Sequence, residues 1–163
     1  MRNRVILLSM PKIIVSSPEK MRRLGLKYAQ NIVKNKKSNS AATIIALYGN
    51  LGSGKTVFAQ GFGRGLHISK RIQSPTFVLM RRYFLSRLNH PAFKRFYHLD
   101  LYRIKNEKDT EYLALNEIFK DSSAIVLIEW ADRIEKILPG KIIKIEMEHT
   151  KNRKHRKARI KKI

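Results

Sequence analysis

At 163 residues the chain has the length of about one domain, and an apolar fraction of 43% is enough to build a core. The absence of cysteine excludes a disulfide scaffold, a thiolate-held metal and a cysteine nucleophile, and suits a cytoplasmic setting. Thirty-five Lys and Arg against 12 Asp and Glu give a net charge of +23, which fits a nucleic-acid partner, an acidic protein partner or a biased composition, and does not choose among them.

No segment approaches the roughly 18 apolar residues needed to span a bilayer, so no membrane partner is expected. Arg2 and Arg4 before Val5–Leu8 resemble a signal peptide only faintly, because Pro11 and Lys12 follow where a cleavage site would need small residues. Residues 1–11 read as an N-terminal extension, and 12–163 as a single domain with a basic C-terminal strand or tail.

Lys12–Val15 is expected to form a short strand. Ser17 then offers a cap, Pro18 a first helical position and Glu19 an acid in the first turn. Met21, Leu24, Tyr28 and Ile32 give that helix one apolar face, and the polar run 34–40 ends it. Ala41–Tyr48 is almost unbroken apolar sequence with β-branched residues, the pattern of a buried central strand. A glycine-rich loop follows, then a helix from about Lys55 to Phe62, with Gly63 and Gly65 as its expected terminators.

Val78–Tyr83 and Arg95–Leu99 read as strands, with a turn at Asn89-His90-Pro91 between them. Asn106 can cap a helix reaching about Phe119, with Tyr112, Leu115 and Phe119 on one side. Ala124–Ile128 is a second buried strand, and Ala131–Ile137 a short helix stopped by Pro139-Gly140. Lys141–Glu148 alternates apolar and charged residues, the period of a half-exposed strand. A turn near Asn152 leads to a last strand, 157–163. The expected fold is α/β: a P-loop NTPase-like, mostly parallel central sheet flanked by helices, with a C-terminal antiparallel hairpin.

The chemistry is concentrated in Gly49-Asn50-Leu51-Gly52-Ser53-Gly54-Lys55-Thr56, which matches G-x-x-x-x-G-K-[ST] between a buried strand and an amphipathic helix. Glycines let consecutive amides curl towards phosphate oxygens, and the helix start adds a positive dipole end. Lys55 can reach the terminal phosphates, Thr56 can ligate Mg²⁺, and Val57 continues the nucleotide-binding segment. The expected cofactors are ATP and Mg²⁺.

A second metal anchor belongs at the C-terminal tips of buried strands. Glu129 ends the strand Ala124–Ile128 and Asp100 follows Phe96–Leu99, so both are candidate metal and catalytic carboxylates. Each also has a plainer reading, as a helix cap or, for Asp100, as a partner of Arg103. Ser74-Pro75-Thr76 occupies the position of a γ-phosphate switch, with Thr76 the candidate hydroxyl, or else is a simple turn. His98 reads as a structural residue, and Trp130, although core-like, stands next to Glu129 at the functional edge.

Four blocks in this order resemble the bacterial TsaE (YjeE) family: the loop 49–56, Ser74-Pro75-Thr76-Phe77, His98-Leu99-Asp100-Leu101-Tyr102-Arg103, and Ile128-Glu129-Trp130. Leu138-Pro139 and the strand bearing Arg159 also fall in place. The resemblance implies a small ATPase that binds the TsaD and TsaB proteins, which transfer threonylcarbamoyl to adenosine at tRNA position 37. It would contact tRNA indirectly; the basic tail, read from its charge, is either solvated surface or a direct contact with RNA or a partner. By matching position, Thr56 and Glu129 would hold Mg²⁺, Asp100 would serve the metal or the water, Thr76 would be the switch hydroxyl, and Trp130 would contribute to nucleotide binding. The family commonly has Pro where Ala131 stands and Thr where Met21 stands. A small-molecule kinase and a nucleotide-regulated RNA-binding protein are the alternatives, the second motivated by the tail 151–162.

Overall fold

The computed structural model describes residues 12–35, 40–88, 92–105, 107–151 and 155–162. The expected extension 1–11, the turn at 89–91, the cap at Asn106 and the turn at Asn152 lie outside the described residues. The elements run β1 (Lys12–Val15), α1 (Pro18–Lys34), β2 (Thr43–Tyr48), α2 (Lys55–Gly65), β3 (Met80–Phe84), β4 (Arg95–Asp100), α3 (Leu115–Lys120), β5 (Ala124–Glu129), β6 (Ile143–His149) and β7 (Arg156–Lys162). Short 3-10 helices occupy Ser86–Leu88, Glu107–Leu113 and Ala131–Ile137.

The sheet order is β1-β7-β6-β2-β5-β4-β3. The four inner strands β6, β2, β5 and β4 are mutually parallel, while β3 on one side and β7 and β1 on the other join antiparallel. β6 and β7 make the expected C-terminal hairpin. Why β2 and β5 read as continuous apolar runs is now evident. Ile45, Leu47, Ile125 and Leu127 enter the core under α1 and α2, whereas Ile44, Ala46, Val126 and Ile128 enter a second core on the opposite face. A strand covered on both faces has no polar side to show. Each fully buried Ile or Leu contributes about 1.5–3 kcal/mol. In β6, only Ile145 and Met147 are buried, and Lys144 and Glu146 face outward, which explains its alternation.

α1 begins as its sequence dictates. The Ser17 hydroxyl accepts from the Lys20 amide at 3.2 Å, Pro18 opens the helix and Glu19 complements its dipole. α1 and α2 then meet backbone to backbone. A methyl group on Gly61 would lie 1.9 Å from the Arg22 carbonyl oxygen, and one on Gly25 would lie 2.2 Å from that of Phe58.

Three local expectations need correction. Gly63 and Gly65 do not terminate α2 through a left-handed backbone: the helix runs through both to Gly65. They are small because Ile72 and α1 press on them, and the left-handed residue after the helix is His67. Second, the long helix expected to reach Phe119 is two pieces. Ala114, at φ 50°, breaks it, so Tyr112 turns to solvent at 72% exposure while Leu115 and Phe119 are buried. Third, β3 starts at Met80 rather than Val78, because Leu79 takes a left-handed conformation at φ 57°. Among the described residues, no helix is long and apolar enough to cross a membrane.

Candidate functional site at the strand tips

β2, β5 and β4 end side by side, and their C-terminal ends, with the loop and helix that follow β2, carry His98, Asp100, Glu129, Ser53 and Lys55, most of the buried polar side chains among the described residues. Pairing places Leu47 opposite Glu129, and Glu129 opposite Asp100. The loop 49–54 leaves β2 at this edge. Gly49, at φ 140°, lies so close to β6 that an added methyl would stand 2.2 Å from the Met147 carbonyl oxygen. Gly54, at φ 102°, precedes α2 without a side-chain cap, and Met21 of α1 packs on it. The first-turn amides of α2 therefore have no side-chain acceptor within the helix cap.

Lys55 is only 4% exposed. Its ammonium donates to the carbonyls of Gly49 at 2.6 Å and Asn50 at 3.1 Å, and lies 3.6 Å from the centre of the Trp130 ring. Burial lowers its pKa, against the opposing pull of Glu129, Asp100 and Asp132. Ser53, fully buried, has a hydroxyl with no partner among the described residues. Leu51 and Asn50 are exposed, and the Val57 side chain packs on the core beneath α1, leaving only its main chain to serve the loop.

Two carboxylates form the other wall. Glu129, 1% exposed, accepts from the Thr56 hydroxyl at 2.7 Å on one oxygen and from Nε2 of His98 at 2.8 Å on the other. A carboxylate can only accept, so the ring proton sits on Nε2, and Nδ1 of His98 is the atom left without a partner among the described residues. Asp100, 4% exposed, accepts from the Thr76 hydroxyl at 2.8 Å and from the Ser74 hydroxyl on one oxygen, and from the Tyr102 amide at 3.0 Å on the other. The Ser74 and Thr76 hydroxyls also touch each other, and with one proton apiece they serve two of these three contacts at a time.

Trp130 follows Glu129 with φ 60° and ψ 45°, a left-handed backbone that is uncommon for so bulky a residue. This turn swings its indole over Lys55 and against Tyr102, with ring centroids 5.1 Å apart. Arg103 stacks at 4.3 Å over Phe77, so it does not pair with Asp100.

The fold thus gathers Lys55, Thr56, Glu129, Asp100, Thr76 and Trp130 along one edge. It adds residues that spacing did not single out. His98 reads from sequence as structural, yet it is the direct partner of Glu129. His149 and Arg156 stand opposite each other in the β6–β7 hairpin. Nε2 of His149 lies 3.0 Å from the Leu51 carbonyl oxygen, and Nε of Arg156 donates to that of Gly52 at 2.9 Å. A β6–β7 register would have predicted their pairing, but not that the hairpin leans on the loop.

Known proteins place this arrangement in context. The family model for threonylcarbamoyl adenosine biosynthesis protein TsaE matches residues 15–158. The tRNA threonylcarbamoyladenosine biosynthesis protein TsaE of Haemophilus influenzae is 32% identical over 129 residues, which is 79% of this chain and 76% of that protein. The protein of the same name from Nostoc is 37% identical over 130 residues, 77% of this chain and 70% of the relative. The crystal structure of Bacillus subtilis YdiB superposes with a TM-score of 0.69 at 25% identity, covering 93% of this chain and 84% of that one.

Proposed function

The chain belongs to the TsaE family of threonylcarbamoyl adenosine biosynthesis proteins, and from this membership we propose that it is the Mg²⁺-dependent ATP-hydrolysing subunit of a cytoplasmic assembly with TsaD and TsaB. Its place in tRNA threonylcarbamoyladenosine biosynthesis follows from the family. The ATPase reading rests on the strand-tip edge, and above all on Thr56 being held 2.7 Å from Glu129 beside the buried Lys55.

The residues present fit a nucleotide and its metal. The uncapped start of α2, the unpartnered Ser53 hydroxyl and the buried Lys55 ammonium are donors that suit a polyphosphate. The described residues hold no group of three His, Cys, Asp or Glu able to cage a cation. Mg²⁺ takes one or two protein oxygens and completes its shell with phosphate and water. Thr56 and Glu129 would hold it, with Asp100 adjacent. When bound, the ion would neutralise charge on the phosphates.

Lys55 would exchange the carbonyls of Gly49 and Asn50 for phosphate oxygens and stabilise charge at the terminal phosphoryl group. Glu129, fixed from both sides by His98 and Thr56, would keep its orientation without rearranging. Asp100 would orient water, and Ser74 and Thr76, on its other oxygen, would register the terminal phosphate. Arg103 lies over Phe77 and would not complete the site from there.

The test is phosphate release with TsaB and TsaD present, together with calorimetric binding of MgATP. Lys55→Ala should weaken nucleotide binding, and Glu129→Gln should bind nucleotide yet lose about 10²-fold or more in turnover. Full turnover in both variants would remove the proposal.

A further inference from the structure

The far end of α2 carries a second concentration of charge, unlike the first. A cleft of about 270 Å³ opens there, lined by Arg22, Arg64, Lys70 and Arg71 with Gln60 and Ser69. These six can all donate hydrogen bonds, and the apolar side chains of Ile68 and Ile72 complete the lining. Arg22 leans on Glu19 and Gln60, each at 3.4 Å. Arg64, Lys70 and Arg71 have no ion pair among the described residues. The basic C-terminal strand differs: Lys157 and Arg159 lie 3.7 and 3.9 Å from Glu148, and Arg156 donates to the Gly52 carbonyl.

The unpaired cations are also held in place. Arg64 sits in the last turn of α2. The following segment is pinned by the buried side chains of Leu66 and Ile72, with Ile72 seated where Gly63 leaves room, and by the Ile68 amide donating to the Gly63 carbonyl at 3.0 Å. Lys70 and Arg71 are thus presented from a short anchored strap. An α-helix rises about 1.5 Å per residue, so along α2 Arg64 lies some 13 Å from Lys55 at the glycine loop, with Gln60 about halfway. A polyphosphate at the loop and an anion at the cleft would not share residues.

We infer that this cleft binds the sugar–phosphate backbone of RNA. It is lined by no aromatic side chain for base stacking and by four cationic side chains, so it suits backbone phosphate rather than a base. The family acts in tRNA modification, so the polyanion at hand is tRNA. The inference rests on that membership and not on the ATPase reading. The contact is electrostatic and not sequence-specific.

The experiment measures binding of the full chain to a fluorescently labelled, unmodified tRNA transcript by anisotropy across a potassium chloride series. The triple variant Arg64→Ala/Lys70→Ala/Arg71→Ala should bind at least about tenfold more weakly, and its log–log salt slope should fall by about two to three. The charge-matched control Lys105→Ala/Lys120→Ala/Lys141→Ala should keep both the affinity and most of the slope. The reversal Arg71→Glu, a single exposed change, should weaken binding in the same direction and serves if the triple variant loses its fold. ATP turnover of the cleft variants should match the parent, so failure here and failure of the ATPase proposal are read separately. Unchanged tRNA binding in the cleft variants, an equal loss in the control, or displacement of tRNA by a poly-glutamate peptide but not by a second RNA would each overturn the inference.

Discussion

Two glutamates at opposite sides of the sheet show how the same side chain is used in different ways. Glu129, at the tip of β5, is 1% exposed and has both oxygens engaged, by Thr56 and His98. Glu148, near the end of β6, is about half exposed, and Lys157 and Arg159 approach it at 3.7 and 3.9 Å. Burying a carboxylate costs several kcal/mol unless its hydrogen bonds are complete, whereas an exposed pair gains little because water competes for it. A fold places a completed buried carboxylate next to a buried lysine only where position matters. The strand-tip cluster is therefore the candidate site, and the hairpin charges are mostly surface.

Removing His98 should separate the two regions most sharply. His98→Leu leaves one Glu129 oxygen unsatisfied inside the protein and should cost about 3 kcal/mol in urea unfolding. His98→Gln, which restores a donor, should recover part of the loss. A cost for His98→Leu under about 1 kcal/mol would mean that Glu129 is not held as described.

Lys55 gives a smaller effect with a definite sign. Burial lowers its folded-state pKa below the ordinary value of 10.5. Between the lowered value and 10.5, the unfolded chain binds more protons at this site than the folded chain does, so this group makes stability rise with pH across that window. Lys55→Met should remove that rise, seen as the difference between parent and variant unfolding curves measured from neutral pH towards 10.5. An unchanged difference across the window would show that Lys55 is solvated. The smallest change should come from Glu148→Ala, at under about 1 kcal/mol. A larger loss would mean that the hairpin charges matter to stability as much as the strand tips do.

Much of this was legible in the sequence, for identifiable reasons. β2 and β5 announce themselves because both of their faces are buried, and Ser17-Pro18-Glu19 marks the start of α1 through local hydrogen bonding. Gly49–Thr56 is a local pattern, and Glu129 and Asp100 stand at the ends of apolar runs. What was not legible depends on contacts distant in sequence. His98 becomes the partner of Glu129 only because β4 and β5 pair in one register. Gly63 and Gly65 look like helix stops until Ile72 and α1 are packed against them. Ala114 and Leu79 adopt left-handed backbones that their residue types do not advertise, so the break before Phe119 and the start of β3 are not marked in the sequence. His149 and Arg156 reach the glycine loop from more than ninety positions away, beyond the range of any spacing rule.

The bare contact between α1 and α2 has a consequence for how such chains diverge. With the Arg22 carbonyl 1.9 Å from where a methyl on Gly61 would stand, even alanine demands that one helix retreat. Because Met21, one residue earlier on α1, rests on Gly54, such a retreat would tug at the N-terminal end of α2 as well. Position 61 thus acts as a spacing gauge: a homologue that carries a side chain there must have re-seated its first helix, and a comparison of the two would show the shift directly.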